Sequence, residues 1–333
     1  MADSKSIRTN EKNLEIQQQL DKKAARMNLF KNIVPYVGLV FVTIFFLIVT
    51  KGKFFAANNI QNLINQSFVL IMIAIGSSFV YAHGGMDFSI GPVAGVAQLV
   101  LCLLLLKGLP LPLCILICIV VCVLASMSTA GITLLLGVPV FVGSMAVRTM
   151  FSGILSTATQ AQTYAVDFNT YSYMNATWIK AVLIIALIAV GYYLFNKTTI
   201  GKYNKALGGN PLTAQQAGVN RKRYVLIAYI LMGICVGLAA TFAFFRTGKA
   251  TSSSGSGWEF NIMMAIILGG FPMSGGERSK ISSAIIGALT VTFLTNGLGL
   301  WGLDALLING VKGFLFVAIV ALSYDRSAGK LVD

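Results

Sequence analysis

NLINQSFVLIMIAIGSSFVYAHGGMDFSIGPVAGVAQLVLCLLLL, residues 62–106, holds two apolar runs, 63–82 and 89–106, separated by HGGMDFSIG at 83–91. Each run suits a bilayer crossing, because a hydrocarbon core about 30 Å thick takes roughly 20 helical residues, with a range of about 17 to 25. The segment between them is too short and too poor in polar groups to be a soluble loop. Non-helical backbone at such depth must be buried in protein or line a cavity. The stretch therefore predicts two membrane helices with an interruption set inside a bundle.

The same ruler finds further runs near 33–49, 111–131, 138–158, 178–195, 224–245, 260–271, 281–298 and 303–323. The expected fold is all-α, a polytopic transmembrane bundle of about ten spans, of which 260–271 is conspicuously short. A second Gly-rich break, LGGFPMSGG at 268–276, follows the eighth run. Composition agrees with this reading. Of 333 residues, 56% are hydrophobic and 11% charged, with a mean hydropathy of +0.78, whereas a soluble domain carries about a quarter charged residues. The first 31 residues are polar and no small-residue cleavage pattern follows the first run, so no cleaved secretory signal is expected.

A formal charge of +14 could suggest nucleic acid, but on an apolar chain basic excess records orientation. Basic residues cluster in the arm before the first span, in the loop after the sixth (Lys197, Lys202, Lys205, Arg221, Lys222, Arg223), at Arg278 and Lys280, and at Arg326 and Lys330. Six spans separate arm and loop, which puts seventeen basic residues on one face against five on the other (Lys51, Lys53, Lys107, Arg246, Lys249). The positive-inside rule then makes both termini and the 196–223 loop cytoplasmic, and no nucleic-acid partner is expected. The chain divides into a cytoplasmic arm, 1–32, a transmembrane domain, 33–325, and a cytoplasmic tail, 326–333. The arm is either a polar helix on the membrane surface or a solvated tail.

Reactive chemistry is sparse. One histidine, His83, cannot build a metal cluster with a second, and it reads as a hydrogen-bonded turn residue rather than a ligand. Asp87, Asp304 and Glu259 lie at span edges, too scattered to assign as an acid/base pair. The nearest fragment to a phosphate loop, RTGKATS at 246–252, lacks the first glycine and the Ser/Thr directly after lysine. No catalytic residue, cofactor or metal is expected. Cys114, Cys118 and Cys122 recur every four residues, a stripe of small residues suited to helix packing. Arg148 and Lys312 lie within spans, where a central cation costs about 2.5 to 3.5 kcal/mol. Each either pairs with Asp87, Asp304 or helix-end carbonyls, or meets a polar solute.

Between the sixth and seventh spans lies LGGNPLTAQQAGVN, 207–220. Asn210 is a favourable N-cap, Pro211 fits the first helical position, and Gly218 suits the left-handed residue past the end. A short capped helix over 211–217, on the cytoplasmic face, is the right size to seat in a groove of a soluble partner.

ALGGNPLTAQQAGVN at 206–220 resembles the cytoplasmic coupling segment of the permease subunits of ribose/xylose/galactose-type ABC importers. GGMDFSIG at 84–91 resembles that family's signature after the second span, and ILGGFPMSGGERS at 267–279 its Gly-rich pattern after the eighth. NGLGLWGL at 296–303 and NGVKGFLFVAIVAL at 309–322 resemble its C-terminal end, including a lysine matched by Lys312. Phe271-Pro272 and Glu277-Arg278 depart from the third motif, and 159–177 matches nothing in the family. The resemblance implies a multi-pass subunit of the bacterial inner membrane, working as a dimer with cytoplasmic ABC ATPase subunits and an extracytoplasmic solute-binding protein, and importing a monosaccharide or related polar solute. It implies ATPase coupling through Gly208, Gly209, Asn210, Pro211, Ala214, Gly218, Val219 and Asn220. Gly84, Gly85, Asp87, Ser89, Arg148, Gly269, Gly270 and Lys312 are candidates for the solute pathway, with the two breaks equivalent in two halves of the bundle. Asp87 and Ser89 are also expected to cap the third span. Related permeases for nucleosides or branched-chain amino acids share some of these features. An ion-coupled secondary transporter is the contrasting class, and it would ordinarily show acids within spans.

Overall fold

A computed structural model describes residues 33–323; the arm at 1–32 and the tail at 326–333 lie outside the described residues. Every apolar run is helical. The helices are α1 Ile33–Val49, α2 Ala57–Ala82, α3 Ile90–Leu106, α4 Leu111–Leu136, α5 Val140–Thr159, the single turn α6 Phe168–Tyr171, α7 Thr177–Asn196, α8 Thr199–Gly209, α9 Pro211–Gln216, α10 Arg221–Thr247, α11 Trp258–Leu268, α12 Ile281–Leu300 and α13 Ala305–Ser323. Six of them, α2, α4, α5, α7, α10 and α12, are long and apolar enough to cross a membrane, and α1, α3, α11 and α13 are shorter apolar helices. The protein is a helical membrane bundle.

Burial separates its layers. In the most apolar window of α2, 78% of residues are buried, against 17% for α7, so α2 forms the centre with α10 and α12 while α7 presents its apolar surface to lipid. Antiparallel α4 and α10 come close because Gly233 and Gly237 of α10 face Val123 and Ile119 of α4. Small residues let backbones approach where lipid supplies no hydrophobic drive between helices. Cys114, Cys118 and Cys122 are fully buried on that side of α4, and the Cys118 thiol donates to Gly237 O. The cysteine stripe is thus a packing face. Where the start of α2 meets the end of α12, Asn59 and Asn296 exchange side-chain amide hydrogen bonds of 2.8 and 2.9 Å.

The 159–177 segment builds a cap on the end of α10 remote from α9. Strand β1 (Tyr164–Ala165) pairs antiparallel with β2 (Lys249–Ala250), and Val166 N donates to Gly248 O at 3.0 Å. Lys180, 3% exposed, donates to Asn65 Oδ1 and, at 3.2 Å, to Asn175 Oδ1, while Asn175 Nδ2 donates to Phe245 O. A lysine that the sequence places at a span edge is therefore the tie between cap and bundle.

Candidate functional site

Three groups of residues, stacked along the bundle, make up the site. The first is a junction at the α9 end. Asn210 Oδ1 accepts from Leu212 N and Thr213 N, both at 3.1 Å, and Asn220 Oδ1 accepts from Arg223 N at 3.1 Å, so α9 is capped and α10 begins at Arg221, three residues past Gly218, which adopts φ +86°. Leu207, Ala214 and Val219 form a small buried cluster under α9, leaving Leu212 73% exposed at its tip. The helix ends at Gln216, a residue earlier than 211–217. The additional helix α8 leads into it, and Lys205 of α8 lies over the Phe195 ring at 4.3 Å. Burial there lowers the Lys205 pKa, with the Glu277 carboxylate acting against it.

α8 is fastened to both Gly-rich breaks. Gly276 N donates to Ala82 O at 2.9 Å, which joins the second break to the first. Gly208 lies against Ala82 O and Gly276 N together, so close that a Cβ there would overlap both. Four residues earlier, Asn204 Nδ2 donates to Ile200 O at 2.9 Å, leaving Asn204 Oδ1 to accept from His83 Nδ1 at 3.1 Å. His83 is the hydrogen-bonded turn residue expected, and its partner is on α8. Gly84 adopts φ +81° beside Ser274 O, Gly85 follows it, Gly269 ends α11 against Ser283, and Gly270 turns the chain at φ +78°. The junction itself is the contact of Ala82, Gly208 and Gly276.

Deeper in the bundle two short helices begin against each other. The loop 251–257 folds onto the first turns of α3: Gly91 and Gly95 lie against the Gly255 and Ser254 carbonyls, and Gly255 against the Gly91 carbonyl, at distances that leave no room for a Cβ. Asp87 Oδ1 accepts from Ser89 N and Ser89 Oγ, each at 2.6 Å, so it fixes the turn before α3, and no side chain caps the helix itself. Glu259, 2% exposed, meets Arg148 Nη2 of α5 at 2.9 Å, and the Arg148 guanidinium also lies 5.6 Å from the Phe260 ring centroid. Arg148 has an acidic partner as anticipated, but it is Glu259 rather than Asp87 or Asp304.

The third group surrounds a cavity of about 490 Å³ at the capped end, whose walls include Gln66, Gln98, Trp258, Asn261, Thr292 and Thr295. Its volume lies within the range of small-molecule sites, about 300 to 1,000 Å³. Arg246 and Lys249 stand at the α10 end of the wall, and no carboxylate lines it among the described residues. None of the eight sequence-derived pathway candidates lines this cavity directly. Lys312 comes nearest, donating from Nζ to Asn261 Oδ1 at 2.9 Å. The lining amides were legible only as isolated polar letters inside apolar runs, Gln98 in GVAQLV and Asn261 in EFNIMM; such letters need a reason in lipid as much as charges do.

Residues 59–320 match the family model described as branched-chain amino acid transport system / permease component. The chain belongs to this permease family. The permease is 27% identical over 302 residues to the ribose import permease protein RbsC of Bacillus subtilis (strain 168), covering 88% of this chain and 93% of that protein. It is 29% identical over 286 residues to the D-allose transport system permease protein AlsC of Escherichia coli (strain K12), covering 83% and 86%. Similarity to the galactofuranose transporter permease protein YtfT of Escherichia coli (strain K12) is 25% over 271 residues, covering 80% and 79%. No solved structure matches the permease.

Proposed function

We propose that this permease is the membrane-spanning subunit of an ATP-driven sugar importer in the bacterial cell membrane, with ten spans and both termini in the cytoplasm. Two copies pair, cytoplasmic ATPase subunits hydrolyse ATP, and an extracytoplasmic binding protein delivers the solute to the cavity end. The observation that carries this reading is the fastening of the α8–α9 unit to both Gly-rich breaks through Gly208 and the His83–Asn204 hydrogen bond. An ATPase that grips α9 moves the breaks, and with them α2, α3, α11 and α12, which wall the cavity. The amides and hydroxyls of that wall suit a hydroxylated solute better than a branched apolar side chain, and the sugar-related names of the relatives point the same way.

Leu212 is the test. An apolar side chain 73% exposed at the tip of a capped helix is the kind of anchor that seats in a partner's groove. Leu212→Asp is expected to reach the membrane at the parental level and to lower ATP-dependent sugar uptake by at least about tenfold, the effect of losing one buried anchor. Unchanged uptake, or uptake that runs on an ion gradient without the ATPase, would remove the coupling role.

A further inference from the structure

We infer that Lys312 is a positioning residue for solute selection: by holding Asn261 Oδ1 it leaves the Asn261 amide N–H2, on the cavity wall with Gln98, to donate to the oxygens of a sugar. The inference rests on the sugar-importer reading and gives it a specific binding surface.

The chemistry follows from what each group can do. A lysine ammonium only donates, so the atom it meets at 2.9 Å must be the amide oxygen. With the oxygen held by the ammonium, the amide orientation is fixed and its N–H2 is left to donate elsewhere, and Asn261 is part of the cavity wall. Gln98, 4% exposed and in the same wall, has its Nε2 buried without a hydrogen-bond partner, and Thr295 Oγ1 beside the same cavity is likewise unpartnered. Buried donors left unmade are costly and are normally satisfied. Here three elements, α2 through Gln66, α3 and α11, bring amides to one cavity, α12 adds hydroxyls, Arg246 and Lys249 stand at its edge, and no carboxylate lines the space to receive an ammonium. A polyhydroxylated solute without a positive charge supplies the missing acceptors. Lys312 itself stands behind Asn261, on α13, and acts through it.

The experiment uses the full-length chain in lipid nanodiscs. Of the three tryptophans, Trp258 lines the cavity, so a Trp178→Phe/Trp301→Phe parent makes its fluorescence the reporter. D-ribose and D-allose are titrated as probes. A saturable change is expected in the parent. Lys312→Met and Asn261→Asp are each expected to weaken it by about fivefold, the effect of one hydrogen bond. Asn261→Asp keeps an acceptor for Lys312 while exchanging the N–H2 for a charged carboxylate oxygen, and Lys312→Arg, again a pure donor, is expected to titrate within about twofold of the parent. A Lys312→Met titration at the parental value would show that Lys312 does not position the wall, and an Asn261→Asp titration at the parental value would show that the Asn261 N–H2 does not meet the solute; either result overturns the inference. So does a parent that shows no saturable change with either sugar. In the latter case the importer reading stands or falls separately, on whether uptake in cells is lost in Leu212→Asp.

Discussion

A Gly208→Ala permease is expected to insert, to remain folded, and to lose at least about nine-tenths of its sugar uptake. The added methyl has nowhere to go. It would overlap the carbonyl oxygen of Ala82 and the amide nitrogen of Gly276, both backbone atoms, which are hydrogen-bonded to each other and join the two breaks. Relief must come from moving α8 away from the junction. Overpacking of this kind costs about 1 to 3 kcal/mol, little for a whole bundle but enough to detach the α8–α9 unit from what it moves. The neighbouring glycine is the control. Nothing lies within 4 Å of a Cβ placed on Gly209, and Gly209→Ala is expected to transport within about twofold of the parent, since replacing glycine in a helix is neutral or mildly stabilising. Uptake and binding-protein-stimulated ATPase activity, measured together, check the pair. Equal uptake in both variants would dismiss the junction as a lever.

The contrast between two adjacent glycines also marks how far the sequence could be read. All ten apolar runs were visible because a membrane helix must satisfy its own backbone and can do so only by being long and apolar. The capped α9 was equally visible, since Asn210, Pro211 and Gly218 act locally. What lay beyond reach was any fact settled between distant segments. GGMDFSIG and LGGFPMSGG read as equivalent interruptions near a solute path, yet both end at the same junction, held by Gly276 N to Ala82 O. TSSSGSG at 251–257 carries no signal of its own, and the bare flank of α3 at Gly91 and Gly95 lets it fold inward. The cavity was missed for the same reason: Gln66, Gln98, Asn261 and Thr292 come from four helices, and no spacing within one run relates them. Arg148 was correctly read as needing a partner, while the identity of that partner depended on where the short α11 begins.

That partnership yields the second large effect. Arg148→Met is expected to destabilise the permease by about 3 to 5 kcal/mol, because it leaves Glu259 buried and uncompensated. The reverse change should be milder. Arg148 is 31% exposed against 2% for Glu259, and in Glu259→Gln its guanidinium keeps the Phe260 ring and a long stem with which to reach a more polar depth. The double variant Arg148→Met/Glu259→Gln removes both charges and is expected to recover most of the loss, since a buried pair replaced by neutral groups of similar volume is often neutral in stability. Thermal unfolding of the detergent-solubilised chain ranks the three. A single Arg148→Met variant as stable as the parent would show that Glu259 is not held as a carboxylate by this pair.

The reciprocal amide pair of Asn59 and Asn296 bears on how the chain is made. Its members are 237 residues apart, and a ribosome adding about 5 to 20 residues per second needs on the order of ten to fifty seconds to travel from one to the other. Throughout that interval Asn59, 6% exposed in the finished bundle, has no partner for its side-chain oxygen. Hydrocarbon cannot supply one. The opening turns of α2 must therefore wait at the lipid headgroups or within the insertion machinery, and the second helix to be synthesised is among the last to be sealed.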